Sequence, residues 1–542
     1  IVSHSTEPNP ENTMADTSLI FVLDASLPYI RHPETPGSVE ETRLFNAISY
    51  TYLPLLRSCT ALETEGVPFK LAIAFSPTLC EMLADPLLQS RYVESLDRSI
   101  DYGIAELDRL GGDERTRELV KLHLEQLQLN QRDFIEIYDR NILKKFDYFA
   151  NRGYLEILAT TATSCFLPLY TDIPEAINAQ IETGLVTYRK HFTAIPSGFW
   201  IPAMAWADGM EQIQKSYGVQ YTVLESHGVL FSDTVPDTGV FAPCTCANGF
   251  TVFARDALAC REVTSRDVGY SVNGTYLNVD RDIGFELAED KLSGIFDVSL
   301  GRRITGFRYW SRGNSGDNGF YEPAKAHLQA VADAGRFLTA RVEKLDQASK
   351  VLEGAPVSTV CAFPAALFGQ DWYEGVTWLE SVFRKAAADG MVTFNLPSTS
   401  VPQRSAPVKA VNPCYSSWTV SGYAEEVLNS ANDWMYPYIR KAVKRMIDLA
   451  ERFPDDSGLK ERSLNMAARE LLLAQSMEWF LMMNEASSVE YARMRFEESI
   501  RAFTVVYESL GSNFISTEWL TNAEKKHTLF PEINYRVFRK RQ

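Results

Sequence analysis

Short apolar runs recur through the first 400 positions of the chain, at Ser18–Leu23, Lys70–Phe75, Tyr154–Ala159, Tyr221–Leu224, Thr251–Ala254, Ser358–Phe363 and Val392–Phe394. They are apolar and β-prone, the pattern of strands. Helical patterns separate several of them, and that alternation predicts an α/β fold, either a barrel or a doubly wound sheet. From about Asp85 to Phe149 the pattern is helical almost throughout, so residues 85–149 read as an insertion between strands. Pro397–Pro413 is rich in proline, serine and small residues and reads as a linker. Beyond it Phe496, Ile500, Phe503 and Tyr507 fall on one helix face. The expected organisation is therefore an α/β domain over 17–400 and an α-helical domain over 401–542. Residues 1–16 lack an apolar leader core and read as a disordered N-terminus or an expression remnant ahead of Met14.

Composition narrows the functional classes. The 542 residues carry a formal net charge of −17, which argues against nucleic acid and against an anionic membrane surface as partners. A neutral polymer is compatible with it, and aromatic residues at 12% supply rings on which sugars can stack. No apolar run reaches the roughly 18–20 residues that span a bilayer. The eight cysteines are scattered, and Cys244 and Cys246 are too close for the usual zinc spacing. Free thiols in a cytoplasmic protein, with no metal and no cofactor, are the expectation.

Taken residue by residue, the candidate chemistry is sparse. Asp280 and Asp282 flank Arg281, a pattern of a structural ion pair more than of an acid/base pair. His227, followed by Gly228, reads as a loop or core histidine, and Arg31-His32-Pro33-Glu34 as a proline-anchored turn. No glycine-rich phosphate loop, nucleophile elbow or metal triad stands out.

The order of longer segments is more specific. SLPYIRHPE from Ser26, GYLEILATTATSCFLPLY, SGFWIPAMAW, RDVGY, DRDIGFEL, STVCAFPAALFGQDWYEGVTWLE, SSWTVSGYAEEVLNSANDWMYPYIRKA, ARELLLAQSMEWF and INYRVF occur in that order. Together they resemble the successive regions of glycoside hydrolase family 57, of the α-glucan branching enzyme type, over roughly residues 17–540. The resemblance implies a distorted seven-stranded (β/α) barrel with a helical insertion and a helical C-terminal domain. It also implies activity on α-glucan through two carboxylates.

At the positions where the family carries those carboxylates, this chain has Ala203, after Pro202, and Pro364, after Phe363. Family histidines in the first and second regions correspond to Ser26 and Ser164. In the fourth region a Glu, a His and a Trp correspond to Ala366, Gln370 and Asp371, and in the fifth an Asp corresponds to Glu478. The apolar frame around each position persists. A retaining glycosidase needs two carboxylates about 5–5.5 Å apart, and neither alanine nor proline can attack a carbon or transfer a proton. Drift would erode frame and site alike, so the pattern fits a pseudoenzyme that binds α-glucan or maltooligosaccharide, or that serves as a scaffold for a protein partner. Trp200, Trp372, Trp434 and Trp479 are the expected stacking platforms. The alternative is an active enzyme with a relocated carboxylate pair drawn from Asp371, Glu374 or Glu478.

Overall fold

In the computed structural model of the chain, the described residues are 17–541 apart from 36, 294–296, 314–318, 403–408, 420 and 513. The expected disordered stretch at 1–16 lies outside them, as does part of the expected linker.

Among the described residues nine strands form: β1 (Thr17–Ala25), β2 (Leu71–Phe75), β3 (Leu155–Thr160), β4 (Phe199–Trp200), β5 (Tyr221–Leu224), β6 (Cys244–Thr245), β7 (Thr251–Ala254), β8 (Val357–Pro364) and β9 (Thr393–Phe394). One sheet runs β4-β3-β2-β1-β8, with β9 beside β1; a second runs β5-β7-β6. Every pairing is parallel except β6 with β7. Two bridges join the sheets, Gly198 with Tyr221 and Arg255 with Val360. Between them Gln220 N–H donates to the Ser197 carbonyl at 2.8 Å and Asp256 N–H to the Val360 carbonyl at 2.7 Å. The circuit β1-β2-β3-β4-β5-β7-β8 is thus a closed, distorted barrel of seven parallel strands.

The barrel forms because its strands are apolar on both faces. In β1, Ile20 and Val22 point into an interior cluster with Ala72, Ala74, Leu158, Val223 and Phe253. Leu19, Phe21 and Leu23 point outward, where helices cover them. One such helix, Pro174–His191, lies so close to β3 that a Cβ on Gly184 would sit 2.1 Å from the Thr160 carbonyl oxygen. Only glycine permits that approach.

The stretch between β2 and β3 holds α1 (Pro86–Arg109), α2 (Glu114–Arg132) and α3 (Ile142–Asn151). The Asp85 carboxylate caps α1 by accepting the Leu87 and Leu88 N–H groups. Before and after β8 come α4 (Pro323–Val351) and α5 (Gly375–Asp389). The C-terminal region is helical: α6 (Met435–Arg452), α7 (Leu459–Ala474), α8 (Met477–Met482), α9 (Val489–Gly511) and α10 (Thr517–Lys526). It is tied to the β1 loop by Arg31, which bonds Asp85 at 2.8 Å and the Lys525 carbonyl at 3.0 Å. Among the described residues no helix is long and apolar enough to cross a membrane.

One local expectation is corrected. Arg281 pairs with Glu286 at 2.6 Å, not with its sequence neighbours. Asp282 is fully buried and accepts the N–H groups of Gly284, Thr305 and Gly306, with Arg308 3.5 Å away.

Candidate functional site at the barrel mouth

Parallel strands bring all their C-terminal ends to one mouth, where barrels assemble reactive groups. β1 ends at Asp24 and Ala25, and Asp24 stands in register with Ala74 of β2 and Pro364 of β8. β4 runs into a tight turn, Pro202–Met204, in which Ala203 and Met204 are both left-handed, with φ of 56° and 47°. Such a conformation costs roughly 1–2 kcal/mol for a residue with a side chain. Neighbours hold it: Met204 N–H donates to the Ile201 carbonyl at 2.8 Å, and the Ala203 carbonyl accepts the Trp418 N–H. Ala203 and Pro364 therefore sit on the same rim of one barrel, and neither side chain can ionise.

Trp418, which the sequence reading did not single out, is the aromatic of this rim. Its half-buried ring stands edge-on to Trp200 at 6.5 Å, and the Arg255 guanidinium lies 4.7 Å from its centroid. Arg255 also pairs with Glu225 and donates to the Ala362 carbonyl at 3.3 Å. Glu225 is thereby neutralised by a buried partner.

The second family region and the fifth meet across the mouth. Met477 N–H donates to the Ser164 carbonyl at 3.1 Å and Cys165 bridges Ser476, which seats α8 against the barrel. That brings Glu478 to Ser26 and Asp24. Burial pushes the Asp24 carboxyl up to about 6, while the Trp200 indole and the Ser26 hydroxyl pull it down. Burial, then the Asp24 charge, pushes Glu478 up to about 7, opposed by Arg43 and by the Ser26 hydroxyl. Of the two, Glu478 holds its proton to the higher pH, because the Asp24 charge adds to its burial. Both side chains keep partial solvent contact, so the pair faces the mouth.

The other candidates lie apart from this pair. Gln370 donates to the Thr51 hydroxyl at 3.2 Å, on the π-helical turn Ala47–Tyr52. Asp371 is exposed, and its carbonyl accepts Arg312 at 2.8 Å. Glu374 is buried, accepts the Leu277 N–H at 3.1 Å and is pushed up to about 7 by burial. The charges acting on Glu478 are Asp24, Arg43 and Glu485. Of the three carboxylates expected to form a relocated pair, only Glu478 has a partner at the mouth, and that partner is Asp24.

The tryptophans divide. Trp372 is fully buried between Tyr276 and Trp378, and Trp479 packs on Tyr491 with its indole N–H bonded to the Leu473 carbonyl at 2.8 Å. Trp200 is equally buried beneath Trp418. These three rings belong to the core, with no face open to a sugar. Trp434 is half-buried against Phe496 and Tyr438. His227 lies in a short helix, Ser226–Leu230, not in a loop, and bonds the Gly422 carbonyl at 2.7 Å.

Comparison with known proteins agrees with this architecture. The model of glycosyl hydrolase family 57 matches residues 20–291, and that of the 1,4-alpha-glucan branching enzyme C-terminal region matches residues 438–538. The crystal structure of the alpha-amylase AmyC from Thermotoga maritima superposes with a TM-score of 0.90 at 31% identity, over 97% of this chain and 99% of that one. The GH57-type branching enzyme of Pyrococcus horikoshii gives 0.86 at 27% identity, over 97% of each chain. The 1,4-alpha-glucan branching enzyme of Thermococcus kodakarensis is 27% identical over 507 residues, 88% of this chain and 71% of that protein.

Proposed function

The chain belongs to glycosyl hydrolase family 57, and from that membership we propose a branching-enzyme-like protein that holds α-glucan at the barrel mouth without cleaving it. The observation that carries the proposal is the chemistry of one rim, where Ala203 and Pro364 stand at the positions that the resemblance assigns to the family's two carboxylates. Double displacement needs a side chain that bonds the anomeric carbon and another that protonates the leaving oxygen. A methyl group and a pyrrolidine ring do neither. Glucan binding is supported by the half-buried Trp418 ring beside Ala203 and by relatives named as branching enzymes and an amylase.

The test is iodine staining and reducing-end release from amylose and glycogen, beside calorimetry with maltooligosaccharides. Binding without turnover is the expected result. Ala203→Glu alone should restore nothing, because no acid stands at Pro364. Clear turnover by the unaltered protein would defeat the proposal, and no binding at millimolar ligand would favour a scaffold for a protein partner.

A second reading has its own observation. Asp24 and Glu478 act on each other at the mouth, and with Asp24 at about 6 and Glu478 at about 7 the first ionises before the second, which leaves one base and one acid. On this reading the chain is an active α-glucan-processing enzyme with a relocated pair. Turnover abolished by both Asp24→Asn and Glu478→Gln would favour it; turnover that survives either change would not.

A further inference from the structure

A cavity lies away from the barrel mouth. It encloses about 660 Å³ between α7, α9, α10 and the loop carrying His32 and Glu34. That volume is within the range of small-molecule sites, about 300–1,000 Å³. One wall is apolar, from Met494, Ala502, Val505 and the half-buried Trp519.

The charged lining, from the same helices and the His32–Glu34 loop, is already paired. Lys526 bridges Glu498 and Glu34, and Arg495 meets Glu498 at 3.2 Å. Arg495 is itself fixed by donating to the Tyr29 carbonyl at 3.2 Å. Behind them the buried His527 bonds the fully buried Glu470 through Nδ1. His32 is held by Tyr491 at 2.8 Å.

This network fixes the ligand class by its charge. Five glutamates line the cavity against three arginines and one lysine. An anion would meet the carboxylates and a cation the guanidinium groups, whereas a neutral ligand meets neither penalty. The paired side chains still have spare lone pairs on carboxylates and spare N–H groups on arginine and lysine, set side by side. A vicinal diol uses both, donating from one hydroxyl and accepting at the next. A ring bearing such diols on its edges and C–H groups on its face would lay that face on Trp519.

We propose that this cavity is a second saccharide site, separate from the barrel mouth, which takes a short neutral oligosaccharide against Trp519. The choice of maltopentaose as probe rests on the glucan reading above. The loop from Ser26 to Glu34 joins the two sites, with Ser26 at the mouth and His32 and Glu34 at the cavity.

Hydrogen exchange on the full chain with maltopentaose reads the two sites separately. Protection across residues 490–527 is expected in the unaltered protein and in Trp418→Ala, a change at the mouth. Trp519→Ala should weaken the cavity's binding about tenfold, as loss of one aromatic anchor does. Ala502→Trp, which fills the cavity from a partly exposed position, should abolish it and guards against misreading a folding defect. Protection at the cavity with none at the mouth would support the second site while defeating the glucan-holding mouth. Protection at the mouth alone would overturn the second site and leave the mouth intact. Cavity protection by inorganic phosphate in place of maltopentaose, or protection unchanged in both cavity variants, would also overturn it.

Discussion

Replacing Asp24 by Asn should stabilise the protein at pH 8, by about half as much at pH 5, and not at all below about pH 4. In the folded chain the Asp24 carboxyl is pushed from 3.8 to about 6 and Glu478 from 4.5 to about 7. Between pH about 4 and 7 the folded state therefore binds more protons than the unfolded state. Stability falls as pH rises through that window and stays low above it. For Asp24 alone, about two units at 1.36 kcal/mol each set an upper bound of about 3 kcal/mol. Residual solvent contact and the coupling to Glu478 reduce this to about 1–2 kcal/mol. At about 2.1 cal/mol/K per residue, unfolding 542 residues carries an entropy near 1.1 kcal/mol/K, so the gain is about 1–2 °C. Asn keeps the shape of the side chain and removes only the charge. Scanning fluorimetry at matched rates should find the variant ahead at pH 8, about half as far ahead at pH 5, and level only below about pH 4. An equal difference at both values would mean that charge is not the cause, and a loss at pH 8 would refute the buried-pair account.

Three further outcomes are expected. Ala203→Gly should gain about 0.5 kcal/mol in urea unfolding, because relief of the left-handed strain at φ 56° exceeds the added freedom of the unfolded chain. Trp418→Ala should weaken maltooligosaccharide binding at the mouth about tenfold in calorimetry, with the fold intact by circular dichroism. Trp372→Ala should instead cost about 3–5 kcal/mol of stability, since it empties a fully buried site, and a denaturant midpoint reads that loss.

The strands were legible because each apolar run was covered on both faces, a demand that leaves its mark residue by residue. β4 and β6, of two residues each, carry no such mark. Ala203 and Pro364 were found through the segments around them, and their shared rim follows from parallel strands. Stacking by Trp200, Trp372 and Trp479 could not be judged in advance: whether an indole is core or platform depends on neighbours such as Tyr276 and Tyr491, which are remote in sequence. Asp24 was missed for a related reason. It closes an apolar run like any polar strand end, and only the docking of α8 brings Glu478 to it. The Arg281 pairing failed because adjacent residues in a loop project apart, while Glu286 lies within reach on the following turn.

The mouth holds two features that weigh against folding: consecutive left-handed residues at Ala203–Met204, and a carboxyl pair drawn from water beside Ser26. A chain needed only for its outer surface has no use for either, and single substitutions remove each. Strain of this kind persists where surrounding structure enforces it for a task. The two stabilising variants therefore separate a used cleft from a relic. In a used cleft, Asp24→Asn at pH 8 should raise stability and weaken maltooligosaccharide binding together, because both carboxylates are ionised there and accept from sugar hydroxyls, and Asn gives up part of that acceptor capacity. In a relic, stability rises and affinity does not move. Calorimetry and fluorimetry on the same samples at pH 8 tell the two apart, and unchanged affinity would remove the carboxyl pair from any account of what the mouth binds.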